Sequence, residues 1–109
     1  MSPAEPVTQC LYSPLATDPD LAEIVALFVE EMPNRVATLL QCLNDKNWES
    51  LRRTAHQLKG AAGSYGFGPV TPCAGRLESA IQDRLSEEEI RQSVQELVTL
   101  CGRIRSGTP

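Results

Sequence analysis

Leu51, Ala55, Leu58, Ala62 and Tyr65 recur at steps of three and four residues, and only an α-helix gathers that spacing onto one side. At about 100° per residue, His56 falls roughly 140° from the centre of this stripe. Arg52, Lys59, Gly60 and Gly63 lie within about 60° of His56 by the same measure. The helix therefore has a core side and an opposite side, and the chain's single histidine belongs to the opposite side. A glycine in a helix interior costs about 1 kcal/mol relative to alanine. Two of them beside a histidine are most simply explained by another surface that approaches the backbone closely.

Comparable stripes flank this segment. Asp18 is a good N-cap, Pro19 suits a first helical position, and Asp20 favours the positive end of a helix. Leu21, Ile24, Val25, Leu27 and Phe28 supply an apolar face. Pro33 predicts a break or kink near Met32. A second helix is then expected from Pro33 to about Asp45, with Val36, Leu39, Leu40 and Leu43 inward. Asn44 to Asn47 form a polar turn, and Asn47 caps the histidine helix with Glu49 in its first turn. Trp48 is read as a packing anchor at the end of a bundle.

Tyr65 to Pro69 ends that helix, with Gly66 or Gly68 in the left-handed cap conformation. The following helix begins at Pro69 or Pro72 and turns Val70, Cys73, Ala74, Leu77 and Ile81 inward. Ser86 and Glu89 form a capping box. The last helix carries Ile90, Val94, Leu97, Cys101 and Ile104, has Arg103 and Arg105 at its negative end, and is stopped by Gly107 and Pro109. The expected fold is all-α: an antiparallel up-down four-helix bundle with an additional N-terminal helix, spanning residues 18–106. Residues 1–17, with Pro3, Pro6 and Pro14, form an irregular lead-in, partly ordered if Leu11, Tyr12 and Leu15 dock on the bundle.

A length of 109 residues fits one domain with a single core, and apolar residues make up 41% of the chain. The formal net charge of −4 argues against a general nucleic-acid binder. No apolar run approaches the ~18–20 residues of a membrane span. The N-terminus shows no basic segment followed by an apolar one, so a cytoplasmic location is expected. Cys10, Cys42, Cys73 and Cys101 form no C-x-x-C pair, and one histidine cannot complete a usual Cys/His zinc site. Reduced thiols are expected, with Cys73 and Cys101 buried.

His56-Gln57-Leu58-Lys59-Gly60-Ala61-Ala62 followed by Gly66-Phe67 resembles the signature of histidine phosphotransfer (HPt) domains of multistep two-component relays. The resemblance extends from about Asp18 to Arg105. It implies a four-helix bundle whose histidine takes a phosphoryl group from the aspartate of one receiver domain and gives it to that of another. It implies as partners the receiver domains of response regulators and hybrid sensor histidine kinases. The receiver would bring Mg²⁺ and the carboxylate; the carrier has no cofactor of its own and is expected to be a monomer.

On this reading His56 is the phosphoacceptor, because a neutral imidazole offers a lone pair that can attack phosphorus and unperturbed imidazole titrates near 6.5. Lys59 offers an ammonium to the phosphoryl oxygens. Gly60 clears room for a receiver's loops, and Gly63 is a weaker candidate for the same role. Arg52 and Arg53 would meet an acidic partner surface, while Gln57 and Ser64 would hydrogen-bond the ring or the phosphoryl group. No G-x-x-x-x-G-K-[ST] loop or kinase nucleotide motif is present, so the chain is expected to carry phosphoryl groups without making or hydrolysing ATP. Other readings remain: an HPt module excised from a hybrid sensor kinase, a helical adaptor that binds receivers without being phosphorylated, a chemotaxis-type donor domain phosphorylated directly by a kinase's catalytic domain, and an enzyme acting on small molecules.

Overall fold

Asp18 opens the first helix in an extended conformation, and its Oδ1 accepts a hydrogen bond from the Asp20 N–H at 2.9 Å. From there the computed structural model, which describes residues 9–109, follows one helix, α1, over Pro19–Asn44. The break expected at Pro33 does not occur. A proline inside a helix costs about 3 kcal/mol relative to alanine. Val25, Phe28 and Met32 before it and Leu39 and Leu43 after it are all buried on one continuous face. Each such side chain stabilises by about 1.5–3 kcal/mol on burial. Packing on both sides of the proline thus outweighs its local cost, and the two expected helices are one. Among the described residues there are four α-helices, with no separate N-terminal one.

The apolar face of α1 is narrower than its composition suggests. Ile24, Leu27 and Leu40, expected inward, are exposed, and Val36 is half-buried. Helix α2, Trp48–Ser64, is capped by Asn47, whose Oδ1 accepts from the Ser50 N–H at 3.2 Å. Leu51, Ala55, Leu58 and Ala62 are fully buried, and Trp48 packs half-buried against the core.

Gly66 takes the left-handed conformation with φ 86° just past α2, and a Cβ there would collide with the Ser13 side chain. Helix α3, Val70–Gln82, follows with Pro69 at its N-cap, which settles the choice between Pro69 and Pro72. Helix α4, Glu87–Cys101, carries the capping box: Ser86 Oγ accepts from the Glu89 N–H, and Glu89 Oε1 accepts from the Ser86 N–H, each at 3.2 Å. It ends one turn sooner than its heptad spacing suggests.

Ile104 is buried, but as part of strand β2, Ile104–Arg105, which pairs in parallel with β1, Leu11–Tyr12. Hydrogen bonds to the lead-in outcompete the helix here: the Leu11 backbone N–H donates to Arg103 O at 2.7 Å, and the Arg103 side-chain Nε donates to Gln9 O at 2.6 Å. Arg105 still serves the end of α4 by donating to Gly102 O at 2.9 Å.

The lead-in therefore has structure from Leu11 onward. After β1 comes a 3-10 turn, Pro14–Thr17, capped by Ser13, with Leu11 and Leu15 against the core. Pro3 and Pro6 lie outside the described residues. Phe28 stacks on Tyr65 and Phe67 at centroid distances of 5.0 and 5.7 Å, joining α1 to the end of α2. All four cysteines are free thiols, with Cys73 and Cys101 buried. Helix α2 packs most extensively on α3, and that pairing builds the site described next.

Candidate functional site

Glu78 is the organising group. It sits on α3 between Leu77 and Ser79 and is only 7% exposed, although it is charged. Its Oε2 lies 2.8 Å from His56 Nδ1 and its Oε1 lies 2.9 Å from Lys59 Nζ. The close packing of α2 on α3 carries this carboxylate to the flank of the histidine. Gly63 supports that approach: a Cβ there would come within 3.3 Å of Thr71 Oγ1, and this hydroxyl donates to Lys59 O at 3.1 Å.

Two bonded neighbours compensate the burial of Glu78. The Lys59 ammonium, followed by the His56 ring, holds its carboxyl below the usual carboxylate range, against the opposing effect of burial. An ionised carboxylate only accepts hydrogen bonds. His56 Nδ1 must therefore carry the proton in this contact. In the neutral ring the lone pair is then left on Nε2, and the side chain is 61% exposed.

The other residues singled out in the sequence divide into two sets. Arg52 joins the ionic cluster: its guanidinium grips Glu49 at 2.6 and 3.2 Å, and its third nitrogen reaches 3.9 Å from Glu78 Oε2. Lys59 is bound to Glu78 and is not a freely moving ammonium at rest. Arg53, Gln57, Gly60 and Ser64 lie exposed on α2 outside this bonded cluster. A Cβ at Gly60 would meet nothing within 4 Å, so the space over that position is open.

Sequence reasoning missed Glu78 and Glu49. The signal for Glu78 was present: Val70, Ala74 and Ile81 mark the inner side of α3, and Glu78 follows Ala74 by four residues on that same side. A carboxylate on an apolar stripe demands a buried partner.

The site is convex. A cleft of about 670 Å³ opens beside Arg52, lined also by Trp48, Ile81, Arg84, Leu85 and Ile90, but His56 does not line it. Among the described residues, no group of three or more His, Cys, Asp or Glu side chains is placed to hold a metal ion. No described helix is long and apolar enough to cross a membrane.

His56 thus stands exposed on a helix face, with a carboxylate and a lysine beside it. The family model of the Hpt domain matches residues 23–107, and the chain belongs to that family. Hpt domains act in two-component phosphorelays, as phosphotransfer carriers and not as kinases, and they interact with receiver-domain proteins. Comparison with curated proteins and with solved structures gives no match.

Proposed function

We propose that this chain carries a phosphoryl group on His56 Nε2, accepting it from a receiver-domain aspartate and passing it to another. The observation that carries the reading is the 2.8 Å contact between His56 Nδ1 and the ionised Glu78, on a ring that is 61% exposed. In the uptake step the Nε2 lone pair forms a bond to phosphorus as the phosphorus–oxygen bond of the aspartyl phosphate breaks. The electron pair of that bond leaves with the receiver's carboxylate. The ring keeps its Nδ1 proton and becomes cationic, and Glu78 balances that charge. The cationic ring is a good leaving group, so the second transfer runs by the reverse step.

Lys59 and His56 hold the two oxygens of one carboxylate, at 2.9 and 2.8 Å, and in this reading Lys59 exchanges Glu78 for a phosphoryl oxygen when the ring is modified. Most of the work in phosphoryl transfer is positioning and charge stabilisation. The receiver supplies the acceptor carboxylate and Mg²⁺, and this chain supplies the nucleophile and a docking face made of Gly60, Arg53, Gln57 and Ser64. It uses no cofactor and makes no ATP-dependent phosphorylation of its own. The working unit is residues 18–106, acting as a monomer in the cytoplasm. Short connections between the helices support an antiparallel up-down order.

The test is incubation with a panel of phosphorylated receiver domains, followed by mapping of the label. Acid-labile, base-stable label at His56, absent from His56→Gln, is the expected result. Label that persists in His56→Gln removes the carrier role. A receiver that binds but never transfers to wild-type protein replaces it with the adaptor reading.

A further inference from the structure

Arg52 spends only part of its guanidinium within the ionic cluster. Its Nε and one terminal nitrogen are spent on Glu49, at 3.2 and 2.6 Å. The other terminal nitrogen makes no hydrogen bond among the described residues. It points instead toward Glu78 Oε2, at 3.9 Å, which is too long for a hydrogen bond. That same oxygen is bound by His56 Nδ1 at 2.8 Å. Arg52 also precedes His56 by one helical turn, so the two side chains are neighbours on one face of α2.

The pair that holds Arg52 is easily exchanged. Glu49 has 63% of its side chain exposed, and a surface pair of that kind contributes little to stability. A phosphoryl group has the opposite character: it carries nearly two negative charges and three acceptor oxygens. A guanidinium fork matches such oxygens two at a time, which an ammonium cannot do. Lys59 and Arg52 flank His56 from the turn after it and the turn before it, so between them they bracket whatever the ring carries. Glu49 lies two turns before His56 on the same face, where its charge opposes a phosphoryl group unless Arg52 stays between them.

We propose that Arg52 is a phosphoryl ligand held in reserve by Glu49, and that its guanidinium turns from Glu49 to the phosphoryl oxygens when His56 is modified. The assignment rests on the carrier reading above and gives Arg52 a role at the reacting group, distinct from contact with a partner's surface. Glu49 then tunes the site: it competes for the arginine and so sets how strongly the phosphorylated state is favoured.

A small donor separates this role from docking. The full chain is phosphorylated with potassium phosphoramidate, and the ³¹P resonance of the modified histidine is titrated for wild type, Arg52→Ala, Arg52→Lys and Glu49→Gln. The charged groups around the modified ring are Lys59, Glu78, Arg52, Arg53 and Glu49, and only Arg52 and Glu49 are altered. An opposite charge close by lowers an acid's midpoint, by about one unit or more for close pairs, and exposure here reduces that to roughly half a unit. Arg52→Ala is expected to raise the phosphoryl midpoint by about that amount, Arg52→Lys to restore part of it, and Glu49→Gln to lower it.

Identical midpoints in all four proteins overturn the assignment, as does an Arg52→Ala defect confined to transfer from a receiver. Should Arg52→Ala fail to fold, the Arg52→Lys and Glu49→Gln midpoints decide the matter alone. Wild-type protein that takes no label at His56 removes the carrier reading itself, and this assignment with it.

Discussion

Replacing Glu78 tests the site where the structure departs furthest from what the sequence announces. Its contact with His56 Nδ1 is 2.8 Å long and charge-assisted, a class of hydrogen bond worth about 1.5–3 kcal/mol. The proposed uptake step places positive charge on the ring, so this contact strengthens toward the transition state. At about 1.4 kcal/mol per tenfold in rate, losing it slows transfer roughly ten- to a hundred-fold. His56 is 61% exposed, and solvent screening moves the expectation toward the smaller figure.

Glu78→Ala removes the acceptor outright. Glu78→Gln keeps the shape and one acceptor oxygen but loses the charge. Both should transfer slowly in a rapid-quench single turnover with a phosphorylated receiver, with Ala the slower. Nitrogen spectra of the imidazole should show the Nδ1–H form dominant in wild type and mixed in Glu78→Ala. Wild-type rates in both variants, with the Nδ1–H form intact, would refute the argument that this carboxylate sets the ring's tautomer and balances its charge. Stability gives an independent check. The carboxyl is held below its ordinary range, so its stabilising contribution is present above the unfolded value near 4.3 and is lost as pH falls through the lower folded value. Glu78→Gln should flatten that part of the acid unfolding curve.

Three further outcomes follow from the fold and its surface. Gly60→Leu should raise stability by about 0.5–1 kcal/mol, since the space there is open and leucine is the better helix former. It should also cut receiver-fed transfer at least about tenfold, the mark of blocked docking, while leaving phosphoramidate labelling unchanged; equal receiver rates would show that access over Gly60 is unimportant. Pro33→Ala should stabilise by roughly 1–3 kcal/mol in urea unfolding, because α1 continues through that position, and a loss would mean that the ring's contacts beside Val29, Met32 and Val36 outweigh the missing backbone bond. Burial pushes the Cys101 thiol up to about 12, so the folded state keeps a proton that the unfolded chain sheds near pH 9. Stability should therefore fall by up to about 1.4 kcal/mol per pH unit between those values, and Cys101→Ala should lessen the slope.

What the sequence revealed and what it hid have different physical origins. Caps and stripes are local: Asp18, Asn47 and the Ser86–Glu89 box each act within one turn, and each appears where the residues require. The fate of Pro33 and of Ile104 is decided elsewhere. Pro33 is carried by core contacts made on both sides of it. Ile104 leaves the helix because the backbone around Gln9 and Leu11 offers Arg103 and its neighbours a competing set of hydrogen bonds.

The site divides in the same way. His56, Lys59 and Gly60 share a helix, so their spacing alone sets their relation. Glu78 lies 22 residues away, and no spacing rule relates it to His56. What the sequence does hold is the anomaly of a carboxylate on the inner stripe of α3. A buried charge is tolerated only when it is paired and hydrogen-bonded. Of the neighbouring helices, α2 offers a cluster of donors on one face, Arg52, His56 and Lys59, each one turn or less from the next. The requirement that Glu78 be satisfied therefore acts on the packing itself. It favours the rotation of α2 against α3 that brings those three side chains to the carboxylate, and the same rotation leaves Nε2 facing outward.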